Sequence, residues 1–211
     1  AHQTLTPISN LKIYGEILSE TNHENQEEIA TILEQTEKLD FLIQSLVKLS
    51  RMESGIIAVY SEDTTIKQML ESIQQQFNVK VREKNITLSL CDTDLHIRCD
   101  SKWTVEALGN IVDNAIKYTA CGGNVQIKVE QYSFFVKIDI IDDGIGIEKE
   151  EIPKIFGRFY RSLSVADQPG VGIGLFLARE IIQAQKGYIK VTSKRGKGST
   201  FSVFLPIAKK E

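Results

Sequence analysis

The sequence predicts an α+β protein in two parts. An N-terminal antiparallel helical hairpin, completed to a four-helix bundle in a dimer, is followed by an α/β sandwich. Three observations predict this. Before position 53, apolar residues recur every three or four positions, the helical period. At "RMESGIIAVYSED" that period stops. Beyond it, alternating strand patterns stand beside separate helices, which indicates a sandwich and not a parallel βαβ sheet.

The first helix carries an apolar stripe of Leu5, Ile8, Leu11, Ile17 and Leu18. In the second, the stripe is Ile29, Ile32, Thr36, Leu39, Ile43, Leu46 and Ser50, a heptad seam from Ile32 onward with two polar interruptions. The turn between them, near "ETNHEN", is short and polar, and Thr21 and Glu24 have capping-box spacing for the second helix. The helices therefore fold back antiparallel. A two-helix hairpin alone buries too little to be stable. Its seam packs either on the rest of the chain or on a second copy; the length of the heptad pattern favours the second copy. Gly55 stops the helix. The expected division is a hairpin domain at 1–53, a linker at 54–60 and a second domain at 61–211.

In the second domain a helix is expected from about Thr65 to Lys84, then strands at "ITLSLC" and "LHIRCD". A long helix follows from about Lys102 to Tyr118, then the alternating strands "NVQIKVEQY" and "FFVKIDIID". After an irregular stretch come a helix from about Gly174 to Gln185 and the strands "YIKVTS" and "STFSVFLP".

Composition narrows the function classes. The chain has 211 residues, 42% hydrophobic and 25% charged, with a net charge of -3. That balance exerts no general pull towards nucleic acid or anionic lipid. The three cysteines, Cys91, Cys99 and Cys121, lack CxxC spacing, so neither a disulfide framework nor a zinc site is expected. There is no apolar run near the roughly 20 residues of a membrane span, so no direct membrane contact is expected, and no signal peptide is visible. Because Ala1 stands directly before a helical pattern, the chain is expected to be a piece of a longer protein.

Common nucleotide loops fail. "GKGST" lacks the full phosphate-loop spacing and opens no helix. "DGIGIEK" puts Lys149, and "PGVGIGLFLA" puts Leu175, where a dinucleotide fingerprint has its third glycine. A different arrangement survives. Asn110 and Asn114 lie four apart on one helix face, which Glu106 and Lys117 extend. Amide oxygens suit a hard cation such as Mg²⁺, and Lys117 suits phosphate; the alternative is a solvated polar face. Asp142 ends an apolar strand and is followed by Gly144 and Gly146. A carboxylate there can accept from the exocyclic amine of adenine and repel a guanine carbonyl; the alternative is a plain Asp-Gly turn. Gly170, Gly172 and Gly174 stand where a helix begins, and its free N–H groups suit a phosphate chain.

Four segments in this order resemble the boxes of two-component sensor histidine kinases. "NIVDNAIKYT" looks like their asparagine box, "DDGIGI" their D-x-G-x-G box, "IFGRFYRS" their phenylalanine box and "GVGIGLFLAREII" their second glycine box. "GYIKVTSKRGKGSTFSVFLPI" looks like the closing strands. The resemblance covers nearly the whole chain. It implies, for residues from about 60, the ATP-binding sandwich shared with gyrase and MutL-type ATPases. It implies that Asn110 and Asn114 hold Mg²⁺ and phosphates, with Asn114 the metal ligand. Lys117 would contact phosphate, Tyr118 would lie near the nucleotide and Asp142 would read adenine. Gly144, Gly146 and Ile147, then Arg158, Phe159 and Arg161, then Gly170, Gly172, Gly174 and Leu175 would complete the ATP site. The stretch from about Glu148 to Val171 would be a mobile lid.

The resemblance also assigns the N-terminus. The family opens its hairpin motif with H-E-x-x-T-P, and this chain reads "HQTLTP". His2 would be the phosphoacceptor, since a neutral imidazole nitrogen is a good nucleophile near neutral pH. Thr6, one helical turn on, would orient water for dephosphorylating the partner. Gln3 replaces the usual acid; it can orient His2 by hydrogen bonding but is a very poor base. The implied function is ATP-dependent autophosphorylation of His2 with transfer to an aspartate of a response-regulator receiver domain. The alternative, motivated by Gln3, is a dimeric nucleotide-binding module acting mainly as a phosphatase or weak kinase. The implied setting is the cytoplasmic side of a bacterial membrane sensor.

Overall fold

The computed structural model describes residues 11–18, 26–53, 60–165, 168 and 170–207. Its chain divides into two compact units, one comprising residues 1–58 and 167–171, the other residues 59–166 and 172–211.

The first unit contains helix α1, residues 11–18, and helix α2, Gln26–Glu53. Lys12 pairs with Glu37 at 3.0 Å, and a Cβ on Gly15 would stand 2.6 Å from Leu33 Cδ2. As one number rises the other falls, so the helices run antiparallel, as the sequence predicts. The heptad seam splits into two strips. Ile29 and Thr36 are buried and Ile43 is half-buried. Thr36 satisfies its own hydroxyl by donating to the Ile32 carbonyl at 2.7 Å. Ile32, Leu39 and Leu46, seven apart, are 52%, 45% and 47% exposed. The capping box at Thr21 and Glu24 lies outside the described residues, as does the expected linker apart from residue 60.

The second unit begins with β1 (Glu62–Thr65), α3 (Ile66–Glu83), β2 (Thr87–Leu90), β3 (His96–Cys99) and α4 (Ser101–Tyr118). It continues with β4 (Asn124–Gln131), β5 (Phe135–Asp142), a short 3-10 turn at Leu163–Val165, α5 (Gly174–Ala184), β6 (Tyr188–Ser193) and β7 (Ser199–Pro206). Five strands form one sheet in the order β2-β4-β5-β7-β6. The expected sandwich is present, with one difference from a purely antiparallel sheet: β2 pairs with β4 in parallel. The cause is that β3 leaves to pair with β1 in a separate two-stranded sheet, so β3 and α4 form a crossover between β2 and β4.

Alternation decides the faces. Val125, Ile127, Val136, Ile138, Ile140, Val203 and Leu205 are at most 1% exposed and point to one side. There α4 packs between α3 and α5 and meets β5. The apolar face of α3 (Ile66, Met69, Leu70, Ile73 and Phe77) completes the core at helical spacing. The other face of the sheet is polar and aromatic: Lys137 pairs with Glu130 and Asp139, each at 2.9 Å, and Tyr188 stacks on Phe204. Cys99 is buried, and burial pushes its thiol up to about 11, so it is an inert core residue.

Candidate functional site

Helix α4 carries the first set of expected residues. Asp100 caps its N-terminus by accepting from the Trp103 N–H at 3.1 Å. Its apolar face, including Ala107, Leu108, Ile111, Val112, Ala115 and Ile116, is buried. That leaves Asn110, Asn114, Lys117 and Tyr118 half-buried on the margin of this packing. The Lys117 ammonium lies 4.8 Å from the Tyr118 ring centroid. The far end of the helix is closed from outside: Lys84 Nζ donates to the carbonyls of Ile116, Lys117 and Thr119 at 2.9, 2.9 and 2.8 Å. A cation on three orphan carbonyls satisfies the helix terminus and its negative dipole end together.

This end of α4 is tied to the loop after β5. The Ile145 N–H donates to the Tyr118 carbonyl at 3.2 Å. Gly144 packs so close that a Cβ would stand 2.5 Å from the same oxygen. Asp142, 7% exposed, therefore sits beside the end of the asparagine helix. Its Oδ1 accepts from the N–H of Gly144 at 3.0 Å and of Ser199 at 3.2 Å; neither bond uses Oδ2. Burial raises the carboxyl above its ordinary value, and the two N–H groups oppose that rise. Its neighbour Asp143 is held below its ordinary value, chiefly by the N–H of Asn124 at 2.9 Å. Two adjacent carboxylates thus have opposite environments.

The β6–β7 turn buttresses the same loop. Gly196 N–H donates to the Ile145 carbonyl at 2.7 Å, and Ile147 N–H to Ser193 Oγ at 2.8 Å. Gly146 has φ 66, and a Cβ there would run into the Lys194 carbonyl. Only glycine meets both demands. Sequence reasoning missed Ser193, Ser199 and Lys84. The inward phase of Ser199 with Phe201, Val203 and Leu205 was the available signal for one of them.

The third group comes from α5. Its N-cap, Ile173, makes no side-chain cap bond, and its first turn holds no acidic residue. Gly174 opens the helix beside Asn110, whose Oδ1 lies 3.2 Å from where a Cβ would stand. Asn110 Nδ2 is buried with no hydrogen-bond partner among the described residues. Uncapped N–H groups beside an unsatisfied amide donor are complementary to an anion. Gly172 packs against the Tyr160 carbonyl, Leu175 is half-buried, and Gly170 is exposed.

The residues of "IFGRFYRS" gather on α5 through a ladder of cations and rings. Arg158 lies 4.7 Å from the Phe176 ring, and Arg179 lies 5.6 Å from Phe176 and 5.5 Å from Phe156. Arg161 donates to the Val165 carbonyl at 3.0 Å. Phe159 is half exposed and takes φ 60, an unusual backbone for a bulky residue. His2, Gln3 and Thr6 lie outside the described residues. Among the described residues no cluster of three His, Cys, Asp or Glu could hold a metal ion. A cation here would need amide and ligand oxygens. Asn114 fits that chemistry; the unpartnered donor of Asn110 fits a phosphate oxygen better.

Comparison with known proteins gives two family matches. A family described as "Histidine kinase-, DNA gyrase B-, and HSP90-like ATPase" matches residues 99–209. The "His Kinase A (phospho-acceptor) domain" matches residues 1–55. Sensor histidine kinase WalK of Bacillus subtilis is 32% identical over 98% of this chain and 35% of its own length. Sensor protein kinase PmrB of Pseudomonas aeruginosa is 27% identical over 98% of this chain and 44% of its own. The chain thus spans less than half the length of these curated relatives. Among solved structures, full-length ShkA in complex with AMPPNP has a similar fold, with TM-score 0.82 and 21% identity over 99% of this chain and 45% of its own. Acinetobacter baumannii histidine kinase AdeS has TM-score 0.71 and 25% identity over 99% of both chains.

Proposed function

The chain belongs to the histidine kinase-, DNA gyrase B- and HSP90-like ATPases, as the catalytic core of a two-component sensor histidine kinase, and we propose the following reaction for it. ATP binds the second unit, phosphorylates His2, and the phosphoryl group then passes to an aspartate of a response-regulator receiver domain. The observation that carries this reading is Asp142: a nearly buried carboxylate with Oδ1 filled by backbone donors and Oδ2 untouched by them. An acceptor so placed is complementary to the exocyclic amine of adenine and opposed to a carbonyl in its place.

The remaining residues follow in order along the nucleotide. Gly144, Gly146 and Ile147 shape the wall beside the base, and Tyr118 lies near the nucleotide. Asn110, Lys117 and the start of α5 at Gly172, Gly174 and Leu175 face the phosphates. Arg158, Phe159 and Arg161 approach the triphosphate end, on a loop that closes over the ligand. Asn114 would hold Mg²⁺, which would offset charge on the phosphate oxygens when bound. His2, with a neutral nitrogen, attacks the γ-phosphorus in line; a P–N bond forms as the bond to the bridging oxygen of ADP breaks. The proton on the other ring nitrogen passes to solvent water, because Gln3 is too weak a base to take it.

The partner of the hairpin is a second copy of the chain, because Ile32, Leu39 and Leu46 form an uncovered strip at heptad spacing. The setting is the cytoplasmic side of a bacterial membrane sensor; among the described residues no helix is long and apolar enough to cross a membrane. The test is incubation with γ-labelled ATP and Mg²⁺. Acid-labile label is expected on the unaltered chain and none on His2→Ala; label persisting in that variant removes His2 from the mechanism.

A further inference from the structure

The inner face of the sheet ends in a row of unusual polarity. Val125, Asp142, Ser199 and Ser193 are successive register partners across β4, β5, β7 and β6. The next row inward, Ile127, Ile140, Phe201 and Val191, is wholly apolar. Ser193 thus occupies a strand position that the core fills with hydrocarbon one row on. A hydroxyl there needs a reason.

Its bonds supply one. Ser193 Oγ accepts from the Ile147 N–H at 2.8 Å, lies 2.9 Å from the Gly198 carbonyl and 2.9 Å from Ser199 Oγ. A serine hydroxyl has one proton and two lone pairs. The carbonyl can only accept, so the Ser193 proton goes to Gly198. Ile147 fills one lone pair, and the Ser199 hydroxyl donates to the other. Every valence of Ser193 is then used. The Ser199 proton is turned towards Ser193, which leaves the Ser199 oxygen an acceptor on the residue whose N–H holds Asp142 Oδ1 at 3.2 Å.

We propose that Ser193 is a positioning residue for base recognition: it pins the loop at Ile147 to the β6–β7 hairpin and fixes the Ser199 hydroxyl as an acceptor beside Asp142. The proposal rests on the assignment of Asp142 to adenine. Carboxylate and hydroxyl together then present acceptors to an amine-bearing base, and a base with a carbonyl in that place meets two like dipoles.

The experiment is calorimetric titration of the full chain with ATP and, separately, with inosine triphosphate, which carries a carbonyl in place of the amine, both with Mg²⁺. Ser193→Ala is expected to weaken ATP about tenfold and inosine triphosphate by no more than about twofold, the scale of one lost buried hydrogen bond felt only by the matching base. Ser193→Thr keeps the hydroxyl and is expected to stay within about twofold of the unaltered chain for both. Without nucleotide, amide exchange at Ile147 is expected to quicken in Ser193→Ala and not in Ser193→Thr. Equal weakening of both nucleotides, or an unchanged preference, overturns the role of Ser193 alone. An unaltered chain that binds ATP with no preference over inosine triphosphate overturns the assignment of Asp142 and this proposal with it.

Discussion

Asp142 and Ser199 face each other across β5 and β7, and the Ser199 N–H donates to Asp142 Oδ1 at 3.2 Å. The last strand of the domain thereby sets the orientation of a carboxylate that the sequence places 57 residues earlier. Asp142→Asn keeps this bond and replaces Oδ2 with an amide donor of nearly the same shape. An amine donor on the ligand then meets a donor. ATP affinity is expected to fall by about 10- to 100-fold, the range for a lost hydrogen bond to a charged group. Equilibrium binding of a fluorescent ATP analogue, with ATP as competitor, measures it.

The same substitution should not harm the fold. Burial holds the Asp142 carboxyl above its ordinary value. A raised carboxyl favours folding most below the unfolded value, near pH 3.9, and that contribution is lost as pH rises through the folded value. At neutral pH the ionised group is therefore a cost that Asn removes. Asp142→Asn is expected to melt at or above the temperature of the unaltered chain at pH 7, with the difference vanishing below about pH 4. Thermal melts across that range check it; a variant that melts lower at pH 7 contradicts the electrostatic account of Asp142.

Lys84 closes the far end of α4 on three carbonyls. Lys84→Met keeps most of the stem and removes all three donors, leaving the helix end unsatisfied. A loss of about 2–3 kcal/mol in unfolding free energy is expected, since bonds from a charged donor are worth about 1.5–3 kcal/mol. Urea unfolding followed by circular dichroism measures it. Arginine at the same position should recover part of the loss, because its donors can reach more than one carbonyl.

Much of this site was legible before any coordinates. Asn110 and Asn114 stood out because an amphipathic helix makes a spacing of four a shared face, and Asp142 because it ends an apolar strand and two close glycines follow it. What stayed hidden was pairing. Nothing local marks β2 as a parallel partner of β4, since the single partner of a four-residue edge strand is chosen by the rest of the sheet. Ser193 joins the row of Asp142 only through the β6–β7 register, and Lys84 looks like any cation in a last helical turn. The heptad seam was visible, but not its division into a buried strip and an exposed one.

That uncovered strip gives a further prediction. Leu39 is 45% exposed in the single chain and central among Ile32, Leu39 and Leu46. Leu39→Glu is expected to weaken self-association by about 2 kcal/mol per copy, roughly thirtyfold each, the cost of withdrawing one buried leucine from the interface. Sedimentation equilibrium over a concentration series detects the shift towards monomer. An unaltered chain that stays monomeric at high concentration contradicts the dimer itself.

On the proposed reading, the second unit grips ATP through Asp142 and an asparagine-bearing helix with Mg²⁺ present. The most direct measurement is calorimetric titration of the purified chain with ATP and Mg²⁺, beside Asp142→Asn under the same conditions. Saturable one-site heat is expected for the unaltered chain and a markedly weaker isotherm for the variant. No saturable heat from the unaltered chain, or identical isotherms for the two, would contradict it.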